Sequence, residues 1–479
     1  MKPEPLWIGG REAAPRGGES FPVRNPATGR TAARAALAGG ADVERAVEAA
    51  RKGFLAWSRL GPRDRAARLF EFARVVRQNL RELAEIETLN TGKPIRDSMD
   101  EAGVVADCLE YYAGGVQKFF GETIPVTDRG LDFTLREPLG VCGLIVPWNF
   151  PMMIASWKFA PALAAGNAVI LKPASLTPLS ALMLGRLSKD AGLPDGVFNV
   201  LTGPGETAGR ALVEHPEIGK ISFTGETATG AGIMSLAAPR IKRISLELGG
   251  KSPNIVFADA DFGLCVERSV YAVFGNAGQD CCARSRAFVE KRLFGRFVEA
   301  VVERARKLRV GEPRSSRTEI GPLISPAQRR RVEDYIRSGI GHGARLLCGG
   351  TPPKERGLSR GAYLRPAVLD RVRPEMKVFR EEIFGPVLCV MPFKDEEEAV
   401  ALANASDYGL SASVWTRDIG RALRVARAVK SGVVSVNSSH SVHLEAPFGG
   451  YKKSGVGREL GLKALEGYTE VKNVFVAEK

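Results

Sequence analysis

From residue 141 onward the chain alternates between short, continuously apolar runs and longer amphipathic ones. GVCGLIVPW, AVILKP, VFNVLTG, KISFTG and RISLELGG read as strands. MMIASWKFAPALAAG, TPLSALMLGRLSKDAG, TAGRALVEHP and TATGAGIMSLAA, lying between them, read as helices. Strands apolar along their whole length are covered on both faces, which requires a parallel sheet with helices on each side. Residues 141–249 therefore predict the centre of an open, doubly wound α/β domain. A second alternating region runs from 250 to 446, through SRAFVEK, LFGRFVEAVVERARKL, VLCVMPF, DEEEAVALANA and SGVVSVNSS. No Ser/Gly-rich linker separates the halves, so the two domains are expected to abut around a cleft. The segment before residue 141 reads as helix-rich, in ADVERAVEAARKGFLAW and PRDRAARLFEFARVVRQNLRELAEIE.

A length of 479 residues, at the usual ~150 per domain, leaves room for about a third unit. Two segments belong to neither α/β run. GETIPVTDRGLDFTLREP reads as a hairpin turning at Asp128–Gly130, and VKNVFVAEK as a lone strand. Both leave backbone groups unpaired and predict contact with another subunit. The excess of Lys and Arg gives a formal charge of +14, which suits anionic ligands. The basic residues are scattered, however, with Arg329–Arg331 the densest cluster, and no nucleic-acid-binding signature accompanies them. No run approaches the ~18 apolar residues of a membrane span, and the N-terminus lacks a signal-peptide core. Seven cysteines are too few and too odd for a disulfide framework, so a cytoplasmic, reducing setting is expected.

The residues that carry chemistry sit in turns. Cys281 and Cys282 lie in FGNAGQDCCARSR, a polar loop in which Arg284 and Arg286 are expected to favour thiolate. A vicinal disulfide is the alternative, and buried structural thiols are the commonest role for intracellular cysteines. Glu247, in SLELGGKSPN, stands at a strand end beside two glycines. A carboxylate facing a desolvated crevice there gains a raised pKa and works as a base near neutrality; a strand-end salt bridge is the plainer reading. His440 and His443 share one loop without a third ligand, so no metal is expected. GPGETAG fits G-x-G-x-x-A through Gly203, Gly205 and Ala208, and FTGETATG puts Gly225 and Gly230 at a second helix start. Both are turns suited to a phosphate. Lys172, at the end of AVILKP, offers a cation for ribose or phosphate, and Glu226 is an awkward neighbour for one.

Taken as a set, PWNFP (147–151), LKPAS (171–175), FTGET (223–227), LELGGKSPN (246–254), GQDCCARSR (278–286), EEIFGPV (381–387) and PFGGYKKSGVGRE (447–459) closely resemble the aldehyde dehydrogenase superfamily in order and spacing. The resemblance implies a Rossmann-like cofactor domain (1–119 and 138–249), an α/β catalytic domain (250–446), a small β oligomerisation unit (120–137 and 468–479), and a return segment (447–467). It implies a non-acylating, NAD- or NADP-dependent enzyme that oxidises an aldehyde to the acid through a cysteine thiohemiacetal and thioester. In the family's register the nucleophile is the second residue after the glutamine, Cys281. Glu247 becomes the hydrolytic base, Asn149 the oxyanion donor, and Lys158 with Glu459 assist proton transfer. The cofactor is expected against Ile145, Val146, Pro147, Trp148, Lys172, Ser175, Gly205, Phe223, Gly225, Glu226, Leu248, Gly249 and Gln328, with Glu382 on its nicotinamide ribose and Phe384 positioning the ring. The assembly is expected to be a homodimer or homotetramer, with no nucleic acid or membrane partner.

Two positions depart from the family's pattern. Ser175 stands where NAD-preferring members often carry a glutamate, which predicts that NADP is tolerated. Glu226 replaces a common serine. An apolar tunnel lined by Phe150, Ile154, Trp157 and Phe448, with His440 and Val442, is expected to take an aliphatic or aromatic aldehyde. The chain has a general likeness to betaine- and aminoaldehyde-type members. Yet the loop NSSHSVHLEAP has no aromatic residue to complete a quaternary-ammonium cage. A cofactor-independent thiol hydrolase and a non-catalytic protein keeping the fold are the competing readings.

Overall fold

The computed structural model describes residues 2–478. Its first layer is an eight-stranded sheet. Across it lie Arg11–Ala13, Leu6–Ile8, Phe198–Val200, Ala168–Lys172, Val141–Ile145, Ile218–Thr224, Arg243–Glu247 and Gly455–Val456. The strands from Phe198–Val200 to Arg243–Glu247 are parallel, and antiparallel strands border them on both sides. Chain order reverses between Val141–Ile145 and Ile218–Thr224. In such sheets the ligand crevice opens at the carboxyl ends of the strands flanking this reversal.

Helices cover both faces, as uniformly apolar strands demand. Pro151–Ala164 begins with a proline in its first turn, where the missing N–H costs nothing, and is buried on nearly every side. Trp57, at the end of the helix Gly40–Trp57, donates its indole N–H to the Leu163 carbonyl at 2.8 Å, fixing two helices together. The second sheet has seven strands: Arg345–Cys348, Ala367–Asp370, Val387–Phe393, Arg286–Glu290, Pro253–Val256, Ser411–Trp415 and Val433–Val436. All its pairings are parallel except the first. It holds a separate apolar core around Phe288, Phe297, Phe379 and Trp415.

The N-terminal segment is less helical than its sequence predicts. Leu6–Ile8, Arg11–Ala13, Ser20–Arg24 and Thr31–Ala36 are strands that precede the first helix. They are three to six residues long, so their period of two is too brief to read. The hairpin is present, as Thr123–Ile124 against Gly130–Pro138. The terminal strand, Thr469–Ala477, is not alone: it pairs antiparallel along Gly130–Pro138. Leu131, Leu135, Val471, Phe475 and Val476 stay exposed on this three-stranded sheet.

Candidate active site

The loop after the helix Phe262–Phe274 is the most contorted backbone near the crevice. Asn276 and Ala277 both take left-handed φ, at 48° and 54°, costly for residues with a Cβ. Side chains hold the loop there. Asn276 Nδ2 donates to the carbonyls of Asn149 and Gln279 at 3.1 and 3.2 Å, while Gln279 Nε2 donates to the Asn276 carbonyl at 3.0 Å. Gln279 Oε1 also accepts from the Ile324 N–H at 2.8 Å. Asn149 Nδ2 gives one hydrogen to the Gln279 carbonyl at 3.0 Å, which brings its amide beside the thiol loop. Gly250 lies so close beneath that a Cβ would collide with the Cys281 carbonyl. Asn276 and Gln279 are site-building residues that sequence reasoning did not single out; the Gly/Asn-rich composition of the loop was the only signal.

Cys281 lines two pockets at once. The first, of about 150 Å³, is walled by Pro147, Trp148 and Asn149 after one strand, Thr224, Gly225 and Glu226 after the next, and Leu248 and Gly249 after the third. Gln328, Arg331, Glu382 and Phe384, from the part of the chain that builds the second sheet, close it. It thus occupies the chain reversal of the first sheet. Phe384, at φ 54°, is pinned by Gln328 Nε2 donating to its carbonyl at 2.8 Å, and its ring meets Trp148 edge-on at 5.1 Å. Glu382 accepts from the Gly250 N–H at 3.0 Å, and burial pushes its carboxyl up to about 7. The helix Thr227–Ala237 starts at Glu226 without a side-chain cap, leaving its N-terminal amides free for an anion. Glu226 is balanced by Arg331, 3.5 Å away across the cleft.

Several residues expected at the cofactor do not line this pocket. Ile145, Val146 and Phe223 are buried in the apolar cores beneath it. Lys172, Ser175 and Gly205 lie beyond it, at and after the end of Ala168–Lys172 and at the start of the short π-helix Gly205–Gly209. Lys172 is buried, donates to the Pro173 carbonyl at 3.1 Å, and is lowered to about 8 by desolvation against the pull of Glu206.

The second pocket, of about 380 Å³, contains every expected tunnel residue: Phe150, Ile154, Trp157, His440, Val442 and Phe448. Glu247 opens into it with Cys282 and Asp280, and Met153, Arg268, Tyr271 and Ala272 also line it. Arg268 and Tyr271 were missed by sequence reading, although their i, i+3 spacing on one helix face was available. Tyr271 also adds to Phe150, Trp157 and Phe448 the aromatic wall that the loop 437–447 lacks. His440 and His443 rings meet edge-on at 4.7 Å.

Glu247 ends its strand opposite Gly455, and neither carboxyl oxygen has a hydrogen-bond partner among the described residues. The strand-end salt bridge is therefore not what the fold builds. Burial raises its pKa well above the usual carboxylate range, helped by Glu459 and opposed by Lys158 and Arg458. Behind it, Lys158 is ion-paired with Glu459, and Ser222 Oγ stands 3.1 Å from both. The expectation of a resting thiolate is corrected. Arg284 spends its guanidinium on Cys282, Ala412, Ser413 and Ser441, and Arg286 on the carbonyls of Lys251, Leu402 and Ala403. The Cys281 thiol is raised well above its usual value, first by its hydrogen bond with Cys282 and then by burial. All seven cysteines are free, so no vicinal disulfide links the pair.

A thiol shared by a crevice at the chain reversal of the first sheet and a tunnel walled by Phe150, Trp157 and Phe448 is the arrangement of a cysteine-dependent dehydrogenase. A sequence model of the Aldehyde dehydrogenase family matches residues 13–474. The chain is 44% identical over 463 residues to "Aldehyde dehydrogenase, mitochondrial" of Sus scrofa, covering 96% of this chain and 88% of that protein. It is 46% identical over 466 residues to "Retinal dehydrogenase 2" of Homo sapiens, covering 96% and 89%. The crystal structure of betaine aldehyde dehydrogenase from Staphylococcus aureus in complex with NAD+ superposes with a TM-score of 0.96 at 37% identity, covering 98% of this chain and 94% of that one. The chain belongs to the aldehyde dehydrogenase family. Its reaction is the oxidation of an aldehyde to the carboxylic acid with NAD(P)+. No helix among the described residues is long and apolar enough to cross a membrane.

Proposed function

We propose that Cys281 is the nucleophile, Glu247 the hydrolytic base and Asn149 the oxyanion donor of this reaction. The observation that carries the reading is that Cys281, which with Thr224 lines both the crevice and the tunnel that Glu247 opens into, is the one thiol common to the two pockets. Cys281 gives up its thiol proton to water in the tunnel as Sγ adds to the aldehyde carbon, and the carbonyl oxygen takes up the negative charge of the thiohemiacetal anion. Asn149 Nδ2, steered by the Gln279 carbonyl, and the Cys281 N–H donate to that oxygen. When bound, NAD(P)+ supplies the acceptor for the hydride that the carbon releases. The thioester left on Cys281 is opened by water whose proton passes to Glu247. Lys158 and Glu459, paired behind it, carry that proton away.

The crevice suits the dinucleotide. The Thr224 hydroxyl is buried there without a partner among the described residues, and a Cβ at Gly249 would clash with the Glu382 carboxylate. Glu382 would hold the nicotinamide ribose, Trp148 and Phe384 the ring, and the N-terminus of Thr227–Ala237 the diphosphate. Lys172, Ser175 and Gly205, off the crevice, would meet the adenosine half. With Ser175 in place of a carboxylate, kcat/KM for NADP and NAD is expected to fall within the same thousand-fold range. A preference for NAD beyond that, ~4 kcal/mol, refutes this reading of Ser175.

Asn149→Ala is expected to lower kcat about 10²–10³-fold, ~2.7–4 kcal/mol of barrier, with little change in dinucleotide affinity. Absorbance at 340 nm, with a panel of aldehydes and each cofactor, tests the whole reading. Ester hydrolysis without aldehyde oxidation would replace it by a thiol hydrolase.

The domain reading follows: cofactor binding by 1–119 and 138–249, catalysis by 250–446, and subunit contact by 120–137 and 468–479. Exposed Leu131, Leu135, Val471 and Phe475 on the three-stranded sheet support a homodimer or homotetramer. Seven free thiols support a cytoplasmic setting.

A further inference from the structure

The charges around the tunnel are not evenly spread. At its buried end stand Glu247 and Asp280, two carboxyls whose pKa burial pushes upward. Toward solvent stand exposed Arg268 and His440, with the hydroxyls of Ser438, Ser439 and Ser441. Tyr271, one turn after Arg268, has its phenol committed to Glu319 and Arg304 at 3.0 and 2.7 Å, so it contributes its ring rather than a charge. Ser439 Oγ lies 3.5 Å from the Arg268 carbonyl, which ties the loop 437–447 to this helix. Among the described residues the Arg268 guanidinium has no acidic partner, unlike Arg304, which pairs with Glu319 beside the same Tyr271. An unpaired guanidinium on a tunnel wall is a fork suited to a carboxylate.

We infer that the preferred substrate is an aldehyde carrying a carboxylate at its far end, with Arg268 at the tunnel mouth as its specificity-determining residue. This rests on the aldehyde-oxidising reading above. The carbonyl goes to Cys281, the methylene or aromatic body packs on Phe150, Trp157, Tyr271 and Phe448, and the distal carboxylate meets Arg268. The formal charge of +14 adds long-range attraction for such an anion. A quaternary ammonium finds aromatic faces here too, but it meets an uncompensated cation at the mouth.

The test compares 6-oxohexanoate, hexanal and betaine aldehyde at low ionic strength. kcat/KM for 6-oxohexanoate is expected to exceed that for hexanal at least tenfold, with the difference in KM and shrinking as salt is added. Arg268→Gln is expected to collapse that ratio toward one, Arg268→Lys to retain much of it, and Arg268→Glu to invert it. Arg268 is exposed, so each variant should fold, which thermal unfolding checks. A ratio near or below one in the wild type, a ratio untouched by Arg268→Glu, or betaine aldehyde as the best substrate overturns the inference while leaving the dehydrogenase reading intact. Failure to oxidise any aldehyde overturns both.

Discussion

Cys281→Ala is expected to remove aldehyde oxidation by a factor of about 10⁴ or more, since no other group forms the covalent intermediate. The loss should lie in kcat, with dinucleotide binding retained, because Cys281 is only one part of the crevice wall. Trp148, at the crevice and edge-on to Phe384, is placed to report that binding by its fluorescence. Cys282→Ala separates the neighbours. Cys282 is what raises the Cys281 thiol most, so its removal lowers that pKa and moves the pH profile of Cys281 alkylation downward. Turnover should survive in Cys282→Ala. Survival in Cys281→Ala and loss in Cys282→Ala would reverse the assignment.

Much of this site was legible because its residues sit where strands end. Glu247 and Lys172 each close a parallel strand, and a run of apolar residues ended by a charged one before glycines or a proline announces that position. The tunnel residues Phe150, Ile154 and Trp157 share one helix start and were equally readable. Other features depend on distance across the fold. Arg284 and Arg286 are near Cys281 in sequence, yet their guanidinium groups point to carbonyls and hydroxyls elsewhere. No local pattern reveals that the thiol's strongest influence is the adjacent Cys282. Arg331 neutralising Glu226 joins residues 105 positions apart and resolves a carboxylate that looked misplaced beside a diphosphate. The early strands were lost for another reason: they gain their register from Phe198–Val200 and from each other, not from their own pattern.

Glu247→Gln is expected to separate the two halves of the reaction. The amide keeps the shape of a side chain whose oxygens have no partners, so the fold and the thiol are preserved. Acylation should proceed, giving a burst of about one NADH per active site. Hydrolysis of the thioester should then slow by about 10²–10⁴-fold, the usual worth of a positioned base. The pH dependence has a definite sign. Burial, reinforced by Glu459, favours the protonated carboxyl of Glu247, while Lys158 and Arg458 favour the anion without overcoming it. The base form is therefore populated only above the raised pKa, and steady-state kcat should climb with pH through that value. The climb should be absent in Glu247→Gln, and added hydroxylamine, which attacks thioesters without a base, should restore turnover. Equal steady-state rates in the two proteins, with no burst, would mean that water is activated elsewhere, and the unpaired carboxyl at the strand end would lose its role.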